Sequence, residues 1–143
     1  MKTGVTVSAA AAVLAVLANP GVATASPVPM KDVPAGTSYW INKTDVLATK
    51  RKGRTLKVGN PLTPCFTGKK VGPNKYRGGG MDQQGTYSRQ VVTVSVKGSK
   101  LRINNSWSVS GKPLKYRKST RAKVAKRYGG TNPSDWFSDC TKP

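Results

Sequence analysis

Residues 86–110 constrain the fold of this chain more tightly than any other stretch. Val92, Val94 and Val96 alternate with polar neighbours. Leu101, Ile103, Trp107 and Val109 likewise alternate with Arg102, Asn104, Ser106, Ser108 and Ser110. A period of two is the signature of a strand with one buried face. Gly98-Ser99 lies between the runs, and glycine at the first central position suits a type II′ hairpin turn. That turn places Val96 opposite Leu101, Val94 opposite Ile103 and Val92 opposite Asn105. A slip of one residue would turn the apolar set to the wrong face. One conflict remains, because the same register sets Lys97 against Lys100, and like charges directly opposite one another destabilise a sheet.

Strand-like patterning continues on both sides of this hairpin. Tyr39–Asn42 and Thr44–Thr49 are expected to pair onward to Arg54–Val58 through a Lys52-Gly53 turn. Leu114 and Tyr116 alternate with Lys115 and Arg117 after Gly111-Lys112-Pro113, which extends the meander by a strand. Residues 59–85 hold seven glycines and three prolines and are expected to form a long loop with at most one short strand. Ser119 or Thr120 can cap a short helix over Arg121–Tyr128, stopped by Gly129-Gly130, with Ala122, Val124, Ala125 and Tyr128 on one side. The tail Thr131–Pro143 carries Trp136, Phe137 and Cys140 and is expected to fold back onto the domain. The fold class that follows is mostly β: a small antiparallel barrel or sandwich with one short C-terminal helix and one disulfide.

The beginning of the chain reads differently. Met1-Lys2, an Ala/Val/Leu run over Val5–Ala18, the break at Asn19-Pro20-Gly21 and the small residues of Ala23-Thr24-Ala25 have the layout of a secretory signal peptide, residues 1–25. The run is shorter than the ~20 apolar residues of a transmembrane span. The expected organisation is therefore the signal peptide, a Pro-rich flexible segment at 26–36 and a single small β domain at 37–143, secreted and extracellular. Export favours pairing Cys65 with Cys140, the chain's two cysteines. Closing so long a loop is worth roughly 4 kcal/mol in the chain-entropy account.

Charge is the other dominant feature. Of 143 residues, 25 are Lys or Arg and five are Asp, and neither Glu nor His occurs, for a formal charge of +20. Between Asp82 and Asp135 stand twelve basic residues and no acid. The densest run holds Lys112, Lys115, Arg117, Lys118, Arg121, Lys123, Lys126 and Arg127. A second cluster holds Lys50, Arg51, Lys52, Arg54 and Lys57, and a third Lys69, Lys70, Lys75 and Arg77. With so few acids, these clusters produce a strong positive potential. The first, together with Lys50, Arg51, Lys52 and Arg54 of the second, forms the candidate binding surface for a polyanion: a cell-envelope polymer, nucleic acid or an anionic membrane surface. Tyr76-Arg77, Tyr116-Arg117 and Arg127-Tyr128 offer candidate stacking platforms. The plain alternative is that the charge only keeps the protein soluble.

The usual catalytic chemistries find little support. No imidazole is present for proton transfer near neutral pH, which removes Ser–His–Asp and Cys–His arrangements. Asp135 and Asp139 are the nearest carboxylate pair, and turn capping or charge balance accounts for them. No metal-ligand spacing occurs, and Arg77-Gly78-Gly79-Gly80 lacks the Gly-Lys-Ser/Thr ending of a phosphate-cradling loop. No catalytic residue, metal or cofactor is expected. Asn42-Lys43-Thr44 and Asn104-Asn105-Ser106 are glycosylation sequons, read as unused. The leading expectation is a secreted, non-enzymatic cationic protein that binds a polyanionic surface, with antimicrobial or toxin-like action as one biological form. The runner-up is a secreted protein-binding module, such as a protease inhibitor presenting Lys or Arg from a 66–82 loop to a secreted protease. Membrane disruption ranks third for want of a long amphipathic helix.

Overall fold

The structure is a computed structural model that describes residues 30–61, 65–81, 86–104 and 112–140. The signal-peptide reading of 1–25, residues 26–29, and the strand positions of Asn105, Trp107 and Val109 lie outside the described residues. Eight strands follow one another: β1 (Gly36–Ile41), β2 (Val46–Lys52), β3 (Thr55–Gly59), β4 (Phe66–Gly72), β5 (Lys75–Met81), β6 (Tyr87–Lys97), β7 (Lys100–Asn104) and β8 (Leu114–Ser119). Each pairs antiparallel with the next, and β8 returns to β1, closing the sheet into a barrel. Helix α1 (Arg121–Arg127) and a 3-10 helix (Asp135–Cys140) follow the barrel.

The alternation read in the sequence becomes the inside and outside of this barrel. Trp40, Leu47, Leu56, Val58, Phe66, Tyr76, Val92, Val94, Val96, Leu101, Ile103 and Tyr116 fill the interior. Eight strands leave about the width that side chains can fill. The polar tips of its aromatic residues have partners, as buried Trp and Tyr require. Trp40 Nε1 donates to Thr49 Oγ1 at 2.9 Å, Tyr76 Oη to Asp32 Oδ1 at 2.7 Å and Tyr116 Oη to Asp45 Oδ2 at 3.0 Å. Apolar inside and cationic outside is the reverse of a membrane-spanning barrel, whose lipid-facing wall is apolar.

The central hairpin has the expected register, with Val96 opposite Leu101, Val94 opposite Ile103 and Lys97 opposite Lys100. Gly98 takes a φ of +60° while Ser99 does not enter the left-handed region, as a type II′ turn demands. The β2–β3 turn is Gly53-Arg54 rather than Lys52-Gly53, because Lys52 pairs with Thr55.

Residues 59–85 depart from the expected loop. They contribute β4 and β5, joined by a Pro73-Asn74 turn in which Asn74 takes φ +54°. Glycine hides these strands from periodicity, since Phe66, Gly68 and Lys70 pair with Gly80, Gly78 and Tyr76 on the inner side. Gly78 lies against the Thr67 carbonyl and Gly80 against that of Cys65, so closely that a Cβ would collide.

The fold also begins earlier than Thr37. Lys31 bridges Val96, where β6 outruns β5, and Val33 is completely buried in the interior. Asp32 accepts hydrogen bonds from Lys70 Nζ at 2.7 Å, from Tyr76 Oη and from the Val33 N–H. Arg51 Nε donates to the Val33 carbonyl at 2.6 Å. Residues 31–33 thus strap one end of the barrel and tie β2, β4, β5 and β6 together.

A second core lies on the outer wall. Val46, Ala48, Cys65, Val124, Trp136, Phe137 and Cys140 pack together, with Tyr39, Ile41 and Tyr128 at its margin. Thr120 caps α1, and its Oγ1 accepts from the Lys123 N–H. Ala122 is exposed, so the helix buries Val124 and half-buries Ala125 and Tyr128. The Cys65–Cys140 disulfide spans 75 residues and fastens the tail, as expected.

Candidate functional site

The strand register brings cations together that are scattered in sequence. On the outer wall Lys97 of β6 pairs with Lys100 of β7, which pairs with Arg117 of β8. The adjacent row holds Ser95, Arg102 and Lys115. Strand geometry puts the two rows about 6.8 Å apart along the chain and neighbouring strands about 4.8 Å apart across it. Five exposed cations therefore form a grid of two rows on three neighbouring strands.

This grid floors a half-open groove of about 870 Å3. Ile41, Asn42, Lys43 and Arg127 line it beside the grid, and Met30 lines it next to the 31–33 strap. Asn42 Oδ1 holds the 42–45 turn by accepting from the N–H groups of Thr44 at 2.9 Å and Asp45 at 2.7 Å. Arg127, at the end of α1, donates to the carbonyls of Asn42 and Lys43 and fastens the helix to that turn. Of the thirteen described residues that line it, seven are Lys or Arg and none is acidic.

The nearby carboxylates are turned to other work. Asp45 accepts from Asn60 Nδ2 at 2.7 Å, the Val46 N–H at 2.8 Å and Tyr116 Oη. Burial raises the Tyr116 phenol above its ordinary pKa, and the Asp45 charge and hydrogen bond raise it further. Tyr128 is raised too, first by burial and then by Asp45. Both phenols stay neutral donors at physiological pH. Among the described residues the one ion pair, Lys70 to Asp32 at 2.7 Å, lies on the strap and not in the groove. No group of three or more His, Cys, Asp or Glu side chains among the described residues could hold a metal ion.

The residues singled out from sequence divide. Lys115, Arg117 and Arg127 line the groove. Lys112, Lys118, Lys123 and Lys126 are exposed outside it, Lys118 sharing the inward parity of Tyr116 at the barrel end. Arg121 donates to Asn132 Oδ1 at 2.7 Å. The 50–57 cluster occupies the opposite side of the barrel. There Lys50 and Lys52 are free of the core, whereas Arg51 bonds the Val33 and Gly53 carbonyls and Arg54 bonds the Lys70 carbonyl. Sequence reading missed Lys43, Lys97, Lys100 and Arg102 as site residues. The signal was present in the Lys97–Lys100 conflict, which marks a charge concentration rather than an isolated flaw. Two of the three candidate stacking platforms fail, since Tyr76 and Tyr116 are buried with their hydroxyls engaged, whereas Tyr128 is half-buried at the margin of the outer core. The expected Lys/Arg loop at 66–82 is instead hairpin β4–β5, with Lys70 held by Asp32. No family model, curated protein or solved structure matches the chain.

Proposed function

We propose that this is a secreted, strongly cationic binding protein that associates with polyanionic surfaces without catalysing a reaction, and that the groove on β6–β8 is its principal contact. One observation carries the reading: among the described residues seven cations and no acid line one concave surface, with like charges directly opposed in register. Such pairs weaken the free protein, and an anionic ligand converts that repulsion into binding by displacing counterions. Antimicrobial or toxin-like action on an envelope belongs to the same reading. In the protease-inhibitor alternative, the presenting segment would be the tip of the β4–β5 hairpin.

The test is retention on heparin. The fourfold variant Lys97→Ser, Lys100→Ser, Arg102→Ser and Arg117→Ser is expected to elute at less than about half the salt needed for the wild type. Wild-type protein that flows through heparin, DNA and acidic vesicles in dilute buffer would refute the polyanion reading.

A further inference from the structure

We infer that the groove takes a linear phosphodiester chain of the polyol-phosphate class, a base-free backbone, with successive phosphates falling on successive rows of the grid. The inference rests on the polyanion reading and narrows it to one ligand chemistry.

Three features select that occupant. The first is the lattice of charge. Lys97, Lys100 and Arg117 form one row, and Arg102 and Lys115 the next, about 6.8 Å further along the strands. Phosphates bridged by a short polyol repeat at a comparable interval, so one chain running along the strands meets a cation row at each phosphate. The second is shape. The surface is a concave groove walled by the 42–43 turn and Arg127, which suits a narrow polymer better than a flat headgroup layer. Among the described lining residues Met30 is the one large apolar side chain that is well exposed, which leaves little to insert between acyl chains.

The third is the absence of a stacking ring among the described lining residues. Tyr116 is the only aromatic residue there, and it is 3% exposed with its hydroxyl on Asp45. Proteins that hold single-stranded nucleic acid use exposed aromatics against the bases, each worth a substantial part of the affinity. The described lining residues, cations without an exposed ring, read backbone charge rather than bases. Arg102 and Arg117 can each meet a phosphate with paired donors, and the lysines supply point charge.

The experiment compares three probes by calorimetric titration at low salt: poly(glycerol phosphate), oligothymidylate of equal phosphate number, and vesicles of anionic phospholipid. Three proteins are used: wild type, the groove variant above, and a control with Lys57→Ser, Lys69→Ser, Arg77→Ser and Arg89→Ser, which removes four charges that do not line the groove. Wild type is expected to bind poly(glycerol phosphate) at least ~10-fold more tightly than oligothymidylate. The groove variant is expected to lose ~30-fold or more for that polymer and the control no more than ~3-fold. Equal losses in the two variants overturn the groove as the site while leaving general polyanion binding intact. Wild-type preference for oligothymidylate or vesicles overturns the ligand class. Failure of wild type to bind any probe overturns both this inference and the reading beneath it.

Discussion

Asp32 shows how a chain with five acids uses them. Its carboxylate lies between Lys70 Nζ, Tyr76 Oη and the Val33 N–H, and it holds the strap that seats Val33 in the barrel. Burial alone would raise its pKa, but the hydrogen bonds from Lys70, Tyr76 and Val33 and the charge of Lys70 outweigh burial and hold it below the ordinary 3.8. A depressed carboxylate pKa means that folding favours the ionised form. Its contribution is complete above the unfolded-state pKa and is lost as pH falls through the folded value. Asp32→Asn should therefore cost about 1–3 kcal/mol at neutral pH, where it weakens charge-assisted bonds to partly buried partners. The deficit relative to wild type should shrink in strong acid. Denaturant titrations of both proteins at pH 7 and pH 2 check this, and an unchanged deficit would show that ionisation of Asp32 is not what holds the strap. No apolar periodicity marks this residue; its place among the three prolines of 26–36 reads as a flexible segment, and only the tertiary fold reveals its partners.

At the scale of elements, strands that bury branched side chains on one face announced themselves, and strands built from glycine did not. β6 and β7 were legible because valine, leucine and isoleucine occupy every second position, the ones that face inward. β8 and α1 were legible for related reasons, an alternation in one and a cap and glycine stop in the other. β4 and β5 place Gly68, Gly78 and Gly80 inward, so hydropathy carries no period there, and the reason for glycine is a close approach visible only once neighbouring strands are in place. Gly59 illustrates the same rule on the outer wall, where the backbone of Trp136 in the 3-10 helix lies directly over it. A Cβ at that point meets a carbonyl, which cannot rotate away as a side chain can. Gly59→Ala is expected to destabilise the domain by about 1–3 kcal/mol and to lift the tail from β3. Chemical denaturation gives the first quantity, and a red shift of tryptophan emission in the folded state reports the second. Full stability with an unshifted spectrum would mean that the tail does not pack on β3 in this way.

For the whole molecule, the decisive feature is a closed apolar barrel carrying cations on opposite sides of its wall. Besides Lys97 and Lys100, the register opposes Lys50 to Lys57 and Lys69 to Arg77. The total charge and the 112–127 cluster were legible from composition. The groove was not, because it needs the register of three strands at once and draws Lys97, Lys100 and Arg102 from outside that cluster. This arrangement gives salt two effects of opposite sign. Screening relieves repulsion within the free protein over a Debye length of about 10 Å at 0.1 M, so raising sodium chloride from ~10 mM to ~0.5 M should raise Tm by about 3–8 °C. The same salt removes the gain from counterion release. The logarithm of the affinity for a phosphodiester chain should therefore fall with the logarithm of salt at a slope of roughly −1.4 to −1.8, as expected if each of the two grid rows neutralises one phosphate. At low salt, saturating polymer should recover the stability that repulsion removes, since a ligand that binds only the folded state raises Tm. Charge that served solubility alone would give the first effect without the other two. Calorimetric scans with and without polymer across that salt range separate these cases, and a Tm unaffected by polymer at 10 mM salt would leave the grid without a binding role.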